Sequence, residues 1–199
     1  MGIWNLELGW GIPEHTRDPA AKMWRKRTIQ LDKNVSIKAK PGNNVFIANR
    51  GDVLFEYPAS WIVKPSDNSI CFYDAEPPAD QCVLEFSIMH LQLGVDWSNL
   101  PLDRMLCSVV GDNAGPRDLA TVQRCARSDL KLVWLEYEFL DPIEKRTALA
   151  RCALALRAGV LPLITFSFWP EELQKWTPVW NDLLDTLRLA QGPRFLQRN

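Results

Sequence analysis

The chain has 199 residues, 47% of them hydrophobic, and a formal net charge of −1 from 23 basic and 24 acidic side chains. This length suits one domain with a sizeable core. The balanced charge excludes the strongly basic surface typical of nucleic-acid-binding proteins. No apolar run reaches the roughly 18 residues of a membrane span. We therefore expect neither a nucleic-acid partner nor a span.

The five cysteines and the N-terminus indicate a cytoplasmic protein. The cysteines are spaced too widely for the paired motifs that bind zinc or exchange thiols. Several lie in apolar runs, where a free thiol packs like a small hydrophobe, as in proteins of reducing compartments. The opening residues, MGIWNLELGWG, lack the segments of a secretory signal. A disulfide between Cys71 and Cys82, across a hairpin, is the alternative for two of the thiols.

Turn residues divide the chain into an arm, one domain and a tail. Glycine and proline recur in residues 1–27, which predicts an irregular N-terminal arm. Residues 28–192 carry the periodic patterns of a single domain, and residues 193–199 form a tail. The domain opens at 28–39 with alternating apolar and polar side chains, which predict a hairpin.

The first half of the domain is predicted to be mostly strand. Apolar stretches bounded by turn residues predict strands at Val45–Ala48, Val53–Tyr57, Ser69–Tyr73 and Gln81–Leu91. Leucine, methionine and valine at helical spacing then predict a helix over Leu100–Val110. This order of elements indicates an antiparallel sheet with a helix packed on it.

The second half is predicted to be a meander of strands that ends in a helix. Alternation predicts strands at 120–127, Lys131–Leu140, Arg146–Leu156 and Val160–Trp169. The third of these is rich in alanine, so a helix is the alternative there. The closing helix starts at Pro170, where proline suits the first helical position.

The closing helix contains an internal proline that leaves two interpretations open. Thr177-Pro178 has the form of a new N-cap and first helical residue, which predicts a break. Alternatively, Pro178 kinks one continuous helix. Taken together, the elements predict an α+β fold, an α/β/α sandwich around a central antiparallel sheet.

Residues 53–189 resemble the superfamily of PsbP-like and Mog-type proteins. The resemblance is carried by FEYPASW at 55–61, the acidic and proline-rich loop before the 81–91 strand, and the following helix. The late hairpin and the ending LITFSFW…WTPVWNDLLDTLRL add to it. The resemblance implies the sandwich fold and non-enzymatic, protein-binding work. Relatives bind the GTPase Ran or photosystem II, and a bacterial branch chaperones secretion effectors. It carries over no functional residue.

The residues themselves show no catalytic or metal motif. The chain has two histidines, His15 and His90, and a nucleophile pair of Cys107 with His90 would lack an orienting third group. Serine elbows, phosphate-binding glycine loops and calcium-loop spacing are all missing from the sequence. We expect no catalytic, cofactor or metal residues, and no enzyme.

Charged residues that alternate out of apolar strands are the candidate interaction surface. They are predicted to share one sheet face as a polar groove for a protein partner, with an exposed tryptophan as a further anchor. The alternative is a solvated face with weak cross-strand ion pairs. The candidate surface comprises Glu85, Arg124, Trp134, Glu136, Glu138 and Arg151.

These patterns together predict a cytoplasmic, bacterial, protein-binding adaptor or chaperone, with secretion as a candidate setting. The alternative is a small hydrolase or small-ligand-binding domain with a pocket between the sheet and the helix.

Overall fold

The computed structural model describes residues 39–92, 94–111 and 121–189, without the side chain of Arg50. The predicted N-terminal arm, the hairpin predicted at 28–39 (apart from its last residue) and the C-terminal tail lie outside these residues. The predicted domain boundaries therefore stay predictions. No helix in the described part of the chain is long and apolar enough to cross a membrane.

Ten strands and two α-helices make up the described fold. All strand pairs are antiparallel. The strands are β1 (Asn43–Ala48), β2 (Val53–Pro58), β3 (Ile62–Pro65), β4 (Ile70–Tyr73), β5 (Cys82–His90), β6 (Gln123–Arg124), β7 (Lys131–Leu140), β8 (Thr147–Leu156), β9 (Val160–Phe168) and β10 (Arg188–Leu189). The helices are α1 (Leu102–Val110) and α2 (Leu173–Thr186).

The strands form two sheets. The large sheet has seven strands in the order β3-β4-β5-β9-β8-β7-β6, and the small sheet has three in the order β1-β2-β10. The sequence patterns predicted β1 and β2 as part of a single sheet. The difference arises because β2 pairs with β1 and β10 instead of with a strand of the large sheet.

One face of the large sheet packs against α2 and the small sheet. The rings of Phe46 and Phe55, from the small sheet, lie 5.1 Å and 5.6 Å from the ring of Phe72 in β4. Trp180 of α2 stacks 6.2 Å from Phe166 of β9. Aromatic pairs at such distances bury a large apolar area in defined geometry. We call this side of the large sheet the α2 face.

The opposite face of the large sheet, the α1 face, packs against α1. Leu102, Leu106 and Val110 are spaced four residues apart and form one buried stripe of the helix. They cluster with Leu135 of β7 and Cys152 of β8. The fold is therefore α1, the large sheet, and a third layer of α2 with the small sheet. This confirms the predicted α+β sandwich around an antiparallel sheet.

Strand β8 confirms the strand interpretation of the alanine-rich segment. It is buried on both faces, with Ala153 and Ala155 in the α2-face cluster and Cys152 and Leu154 in the α1-face cluster. Only the end residue Thr147 is exposed. A strand covered on both faces is expected to lose its polar alternation, which explains why its sequence also fitted a helix.

Helix α2 continues through Pro178, so the predicted break at Thr177-Pro178 is wrong. A short 3-10 turn at Pro170–Glu172 leads into the helix. Trp176 and Trp180 are 4% and 0% exposed and flank the proline. Burying these two rings on the sheet outweighs the local cost of a proline in a helix, about 3 kcal/mol.

Several other elements also differ from the predictions. Helix α1 begins at Leu102 instead of Leu100. In the described part of the strand predicted at 120–127, only Gln123–Arg124 is paired as a strand. Strands β3 and β10, of four and two residues, were not predicted. Their patterns are too short to show a period.

Candidate functional site

The six residues of the predicted interaction surface divide between the two faces of the large sheet. Residues directly opposite each other in paired strands share a face. Glu85 lies opposite Thr165, which lies opposite Cys152 on the α1 face. Glu136 lies opposite Arg151 on the α2 face. The prediction of a single shared face is therefore wrong, because the register between distant strands sets the faces.

Arg124 also lies on the α1 face. It is opposite Val133 in the register of β6 and β7, and its guanidinium bonds the carboxylate of Asp103 on α1. Glu85 accepts a hydrogen bond from the Ser69 hydroxyl at the neighbouring strand. Both side chains of the α1 face thus bind neighbours within the fold and lie on the opposite face of the sheet from the other four.

Arg151 is an internal residue that links the sheet to α2. Its side chain is 6% exposed. Nε donates to Glu136 Oε2 at 2.7 Å, and Nη2 donates to Thr177 Oγ1 of α2 at 2.9 Å. The guanidinium carbon lies 5.7 Å from the ring of Trp134 and 5.4 Å from that of Phe168. Arg151 thus forms a buried ion pair with Glu136 within the sheet, and its hydrogen bond to Thr177 links the sheet to α2.

Trp134 is half-buried between the sheet and the helix. Its ring stands edge-on to Trp180 at 5.8 Å, so it belongs to the core and is not a free anchor. Glu138 is the one exposed residue among the six that lies on the α2 face. It lies two residues before the end of β7, next to the hairpin between β7 and β8.

The end of the β7–β8 hairpin carries two exposed apolar side chains. Leu140 is 64% exposed and Ile143 is 52% exposed. We call these two residues the hairpin tip. Sequence reasoning treated both as parts of a strand and a turn. The signal that could have found Leu140 is the alternation of β7, because Leu140 follows Glu136 and Glu138 on the same strand face.

The turn that carries the hairpin tip is held by a buried carboxylate. Asp141 is 3% exposed. Its Oδ1 accepts hydrogen bonds from the backbone N–H groups of Ile143 and Glu144, both at 2.8 Å. The N–H of Asp141 also donates to the carbonyl of Arg146 at 2.9 Å. An Asx turn of this kind fixes the backbone locally, so the apolar side chains stand on an ordered support.

The start of α2 supports the same end of the hairpin. The Arg146 guanidinium lies 4.0 Å above the ring of Trp169 and bonds Glu171. This hydrogen bond lowers the pKa of Glu171. Trp169 is 6% exposed. Cation–π stacking on a buried ring thus joins the hairpin to the link before α2.

His90 does not meet Cys107. His90 ends β5 on the α2 face, while Cys107 belongs to α1 on the opposite side of the sheet. The imidazole Nε2 lies 2.8 Å from the amide nitrogen of Asn49, which also bonds Asp52. Among the described residues, no group of three or more His, Cys, Asp or Glu side chains could hold a metal ion.

The disulfide left open between Cys71 and Cys82 does not form. Cys71 lies opposite Glu85 on the α1 face, whereas Cys82 is a member of the α2-face cluster. All five cysteines, each of them described, are free thiols. Burial raises the pKa of the Cys152 thiol to about 12, and it raises the pKa of Cys82 further. Both thiols are therefore inert while they stay buried.

Comparison with solved structures identifies the fold. CyanoP, the cyanobacterial PsbP of Synechocystis sp. PCC 6803, matches 78% of this chain and 98% of its own with a TM-score of 0.55 at 14% identity. The Ran-binding protein Mog1p of Saccharomyces cerevisiae matches 77% of this chain and 98% of its own, with a TM-score of 0.50 at 7% identity. A protein of Bacteroides thetaiotaomicron gives 0.53 at 13% identity, and the match spans 48% of that chain. These identities show a PsbP/Mog-like fold alone.

Sequence comparison identifies the family. The uncharacterized protein alr1449 of Nostoc sp. PCC 7120 is 36% identical over 171 residues, which cover 84% of this chain and 88% of that protein. The profile of the Alr1449 family matches residues 44–192, which include every strand and helix described above except for Asn43, the first residue of β1. The chain therefore belongs to the Alr1449 family and has the PsbP/Mog-like fold.

Proposed function

We propose that this chain is a non-enzymatic protein-binding adaptor or chaperone that contacts its partner through the hairpin tip. The observation that carries the proposal is the exposure of Leu140 and Ile143, 64% and 52%, on an ordered turn. Apolar side chains on a fixed support gain about 25 cal/mol for each Å² that a partner removes from water. Because the turn is already ordered, little conformational entropy is lost when a partner binds.

One protein of the same fold supports a protein partner. Mog1p, which shares the fold, is a Ran-binding protein by name. Fold alone does not carry function, so this likeness adds to the argument from the hairpin tip and does not replace it. Among the six residues predicted as the interaction surface, Glu138 remains in the proposal because it lies exposed beside Leu140 on the same strand face.

The setting that fits this proposal is the cytoplasm of a bacterium, with secretion effectors among the candidate clients. Five free thiols, three of them buried, suit a reducing compartment. A chaperone that binds partners through a small apolar tip would leave its own core unchanged.

The experiment compares two double variants in affinity capture from the native lysate. L140S/I143S removes the hairpin tip, and V63S/V95S removes two valines that are 38% and 44% exposed elsewhere. Proteins retained by the wild type are expected to fall roughly thirtyfold with the tip variant, since each of the two lost apolar contacts costs about 1 kcal/mol. The valine variant should retain them. Equal retention by the tip variant and the wild type, at unchanged melting temperature, would contradict the proposal.

A further inference from the structure

The hairpin tip lies at an end of the large sheet where three chain connections meet. Cys82 at the start of β5 pairs with Phe168 at the end of β9, and Leu149 near the start of β8 pairs with the same Phe168. The β4–β5 loop, the β9–α2 link and the β7–β8 hairpin therefore emerge side by side. Strands in a sheet are about 4.8 Å apart, so β5 and β7 are roughly 14 Å apart.

These three connections are strongly acidic. We define the acidic rim as residues 74–81, 138–146 and 170–172. Its only basic residues are Lys145 and Arg146. Its acidic residues are Asp74, Glu76, Asp80, Glu138, Asp141, Glu144, Glu171 and Glu172.

Pairing within the fold neutralises only part of this charge. Glu171 bonds Arg146, Glu76 bonds Lys64, and Glu172 Oε2 lies 2.9 Å from Lys175 Nζ. The two acids that flank the hairpin tip differ. Glu138 and Glu144 are exposed, and neither has an ion-pair partner among the described residues. The apolar tip is thus bracketed by two free negative charges.

A second, independent observation at the rim is an unpartnered buried carboxylate. Asp80 is 4% exposed, and within the described ranges neither of its oxygens meets a hydrogen-bond donor on another residue. Burial raises the pKa of Asp80. Burying a carboxylate without a partner is costly, and a cationic group brought to the rim offsets that cost.

We infer that the acidic rim and the hairpin tip together bind a polypeptide segment in which apolar side chains are flanked by lysine or arginine. This rests on the proposed function and adds the chemistry of the partner. The apolar side chains cover Leu140 and Ile143, and the cations face Glu138 and Glu144. Nucleic acids and anionic lipid surfaces carry phosphates that the same charges repel. Because the pairs would be solvent-exposed, they act on specificity and association rate, and salt weakens them.

The test uses three synthetic peptides of equal length with the full chain. The first combines leucine and lysine as an amphipathic helix, the second replaces each lysine with glutamate, and the third replaces each leucine with serine. Binding is measured by fluorescence anisotropy, and the methyl signals of Leu140 and Ile143 are followed by NMR. The leucine–lysine peptide is expected to bind and to shift these signals, and the other two peptides to bind at least tenfold more weakly.

Two charge-reversal variants distinguish an effect of the acidic rim from an effect of the net charge of the protein. E138K/E144K is expected to weaken binding of the leucine–lysine peptide roughly tenfold and to abolish most of its salt dependence. The matched control D67K/D185K reverses two exposed acids outside the rim that form no ion pair within the described residues. It should bind like the wild type.

The outcomes distinguish this inference from the proposed function. Loss of binding with L140S/I143S but not with E138K/E144K overturns the basic partner and keeps the tip as a binding surface. Equal binding of the lysine and glutamate peptides overturns the inference in the same way. Unchanged binding by the L140S/I143S variant, together with wild-type methyl signals of Leu140 and Ile143 that do not shift with peptide, overturns both the inference and the proposed function. Each variant is accepted only with a wild-type melting temperature.

Discussion

At the scale of single residues, Arg151 shows how a charged side chain becomes part of the core. It lies on β8 with Phe166 as its direct neighbour on β9, so its stem is surrounded by apolar groups. Glu136 and Thr177 each take one of its hydrogen bonds. A buried ion pair is weak evidence for net stability, yet removing one partner leaves an uncompensated charge. A single substitution in the pair is therefore expected to cost more stability than the net contribution of the pair suggests.

We predict that Glu136→Gln lowers the free energy of unfolding by about 3 kcal/mol, because it leaves the Arg151 guanidinium buried without its counter-charge. The double variant E136L/R151M removes both charges and is expected to cost clearly less, since apolar side chains of similar volume fill the space. Urea denaturation of the wild type, the single variant and the double variant measures both values. A double variant less stable than Glu136→Gln would contradict this account of the pair.

The same residues show what could be predicted from the sequence. Alternation within a strand correctly placed Trp134, Glu136 and Glu138 on one face of β7. It did not place Glu85 and Arg124, since their faces depend on the pairing of strands that are far apart in sequence. Whether a charged residue on a given face is buried or exposed could not be predicted either, because burial by α2 depends on tertiary packing and not on strand periodicity.

At the scale of elements, one arginine links the C-terminal end of α2 to the segment between β6 and β7. Arg127, in the segment between β6 and β7, donates to the carbonyls of Leu184 at 2.6 Å and Leu187 at 2.8 Å. Asp129 accepts two hydrogen bonds from the same guanidinium, at 2.9 Å and 2.6 Å. The last carbonyls of a helix lack partners within it. A cation placed there satisfies them and complements the helix dipole.

We predict that Arg127→Ala destabilises the protein by about 2 kcal/mol, the usual range for hydrogen bonds to a charged group. It should also speed amide hydrogen exchange at Leu187 and β10 more than at β7. Arg127→Lys, which keeps the charge but has a single nitrogen, is the matched control and should recover only part of the loss. Hydrogen exchange that rises equally over the whole sheet would contradict a local role at the end of α2.

The same contact predicts a pH dependence. The hydrogen bond from Arg127 lowers the pKa of Asp129 below its ordinary value of 3.8. Because the folded pKa lies below the unfolded one, the pair contributes its full stability above about pH 4 and loses it as the pH falls through the folded value. Asp129→Asn should therefore be less stable than the wild type at pH 7, and the difference should shrink on acidification. A difference that stays constant from pH 7 down to pH 2 in urea titrations would contradict it.

Among the elements, the long strands were predictable and the helix interior was not. The bounds predicted for β7 agree with the structure, and those for β8 and β9 agree to within one residue, because their patterns extend over nine or ten residues. The break predicted at Pro178 failed because a local rule competed with the packing of Trp176 and Trp180. Local propensity gives way where tertiary burial is larger.

At the scale of the whole molecule, the two hydrophobic clusters share one sheet. Strand β8 contributes Ala153 to the α2-face cluster and Cys152 to the α1-face cluster. Loosening either helix therefore removes support from a strand on which the other cluster also depends. We expect the two sides of the sheet to unfold as one cooperative unit, as small single domains usually do.

Two buried thiols on opposite faces can test this cooperativity. Cys82 and Cys152 are both 0% exposed and belong to different clusters, so each reacts with a thiol reagent only when its own side opens. Leu106→Ala on α1 should cost about 3 kcal/mol and accelerate labelling of both cysteines roughly 100-fold. Leu183→Ala on α2 is the reciprocal variant and should do the same. Mass spectrometry of each cysteine-containing peptide gives the rates. Acceleration of Cys152 alone by Leu106→Ala, or of Cys82 alone by Leu183→Ala, would show that the two faces open independently.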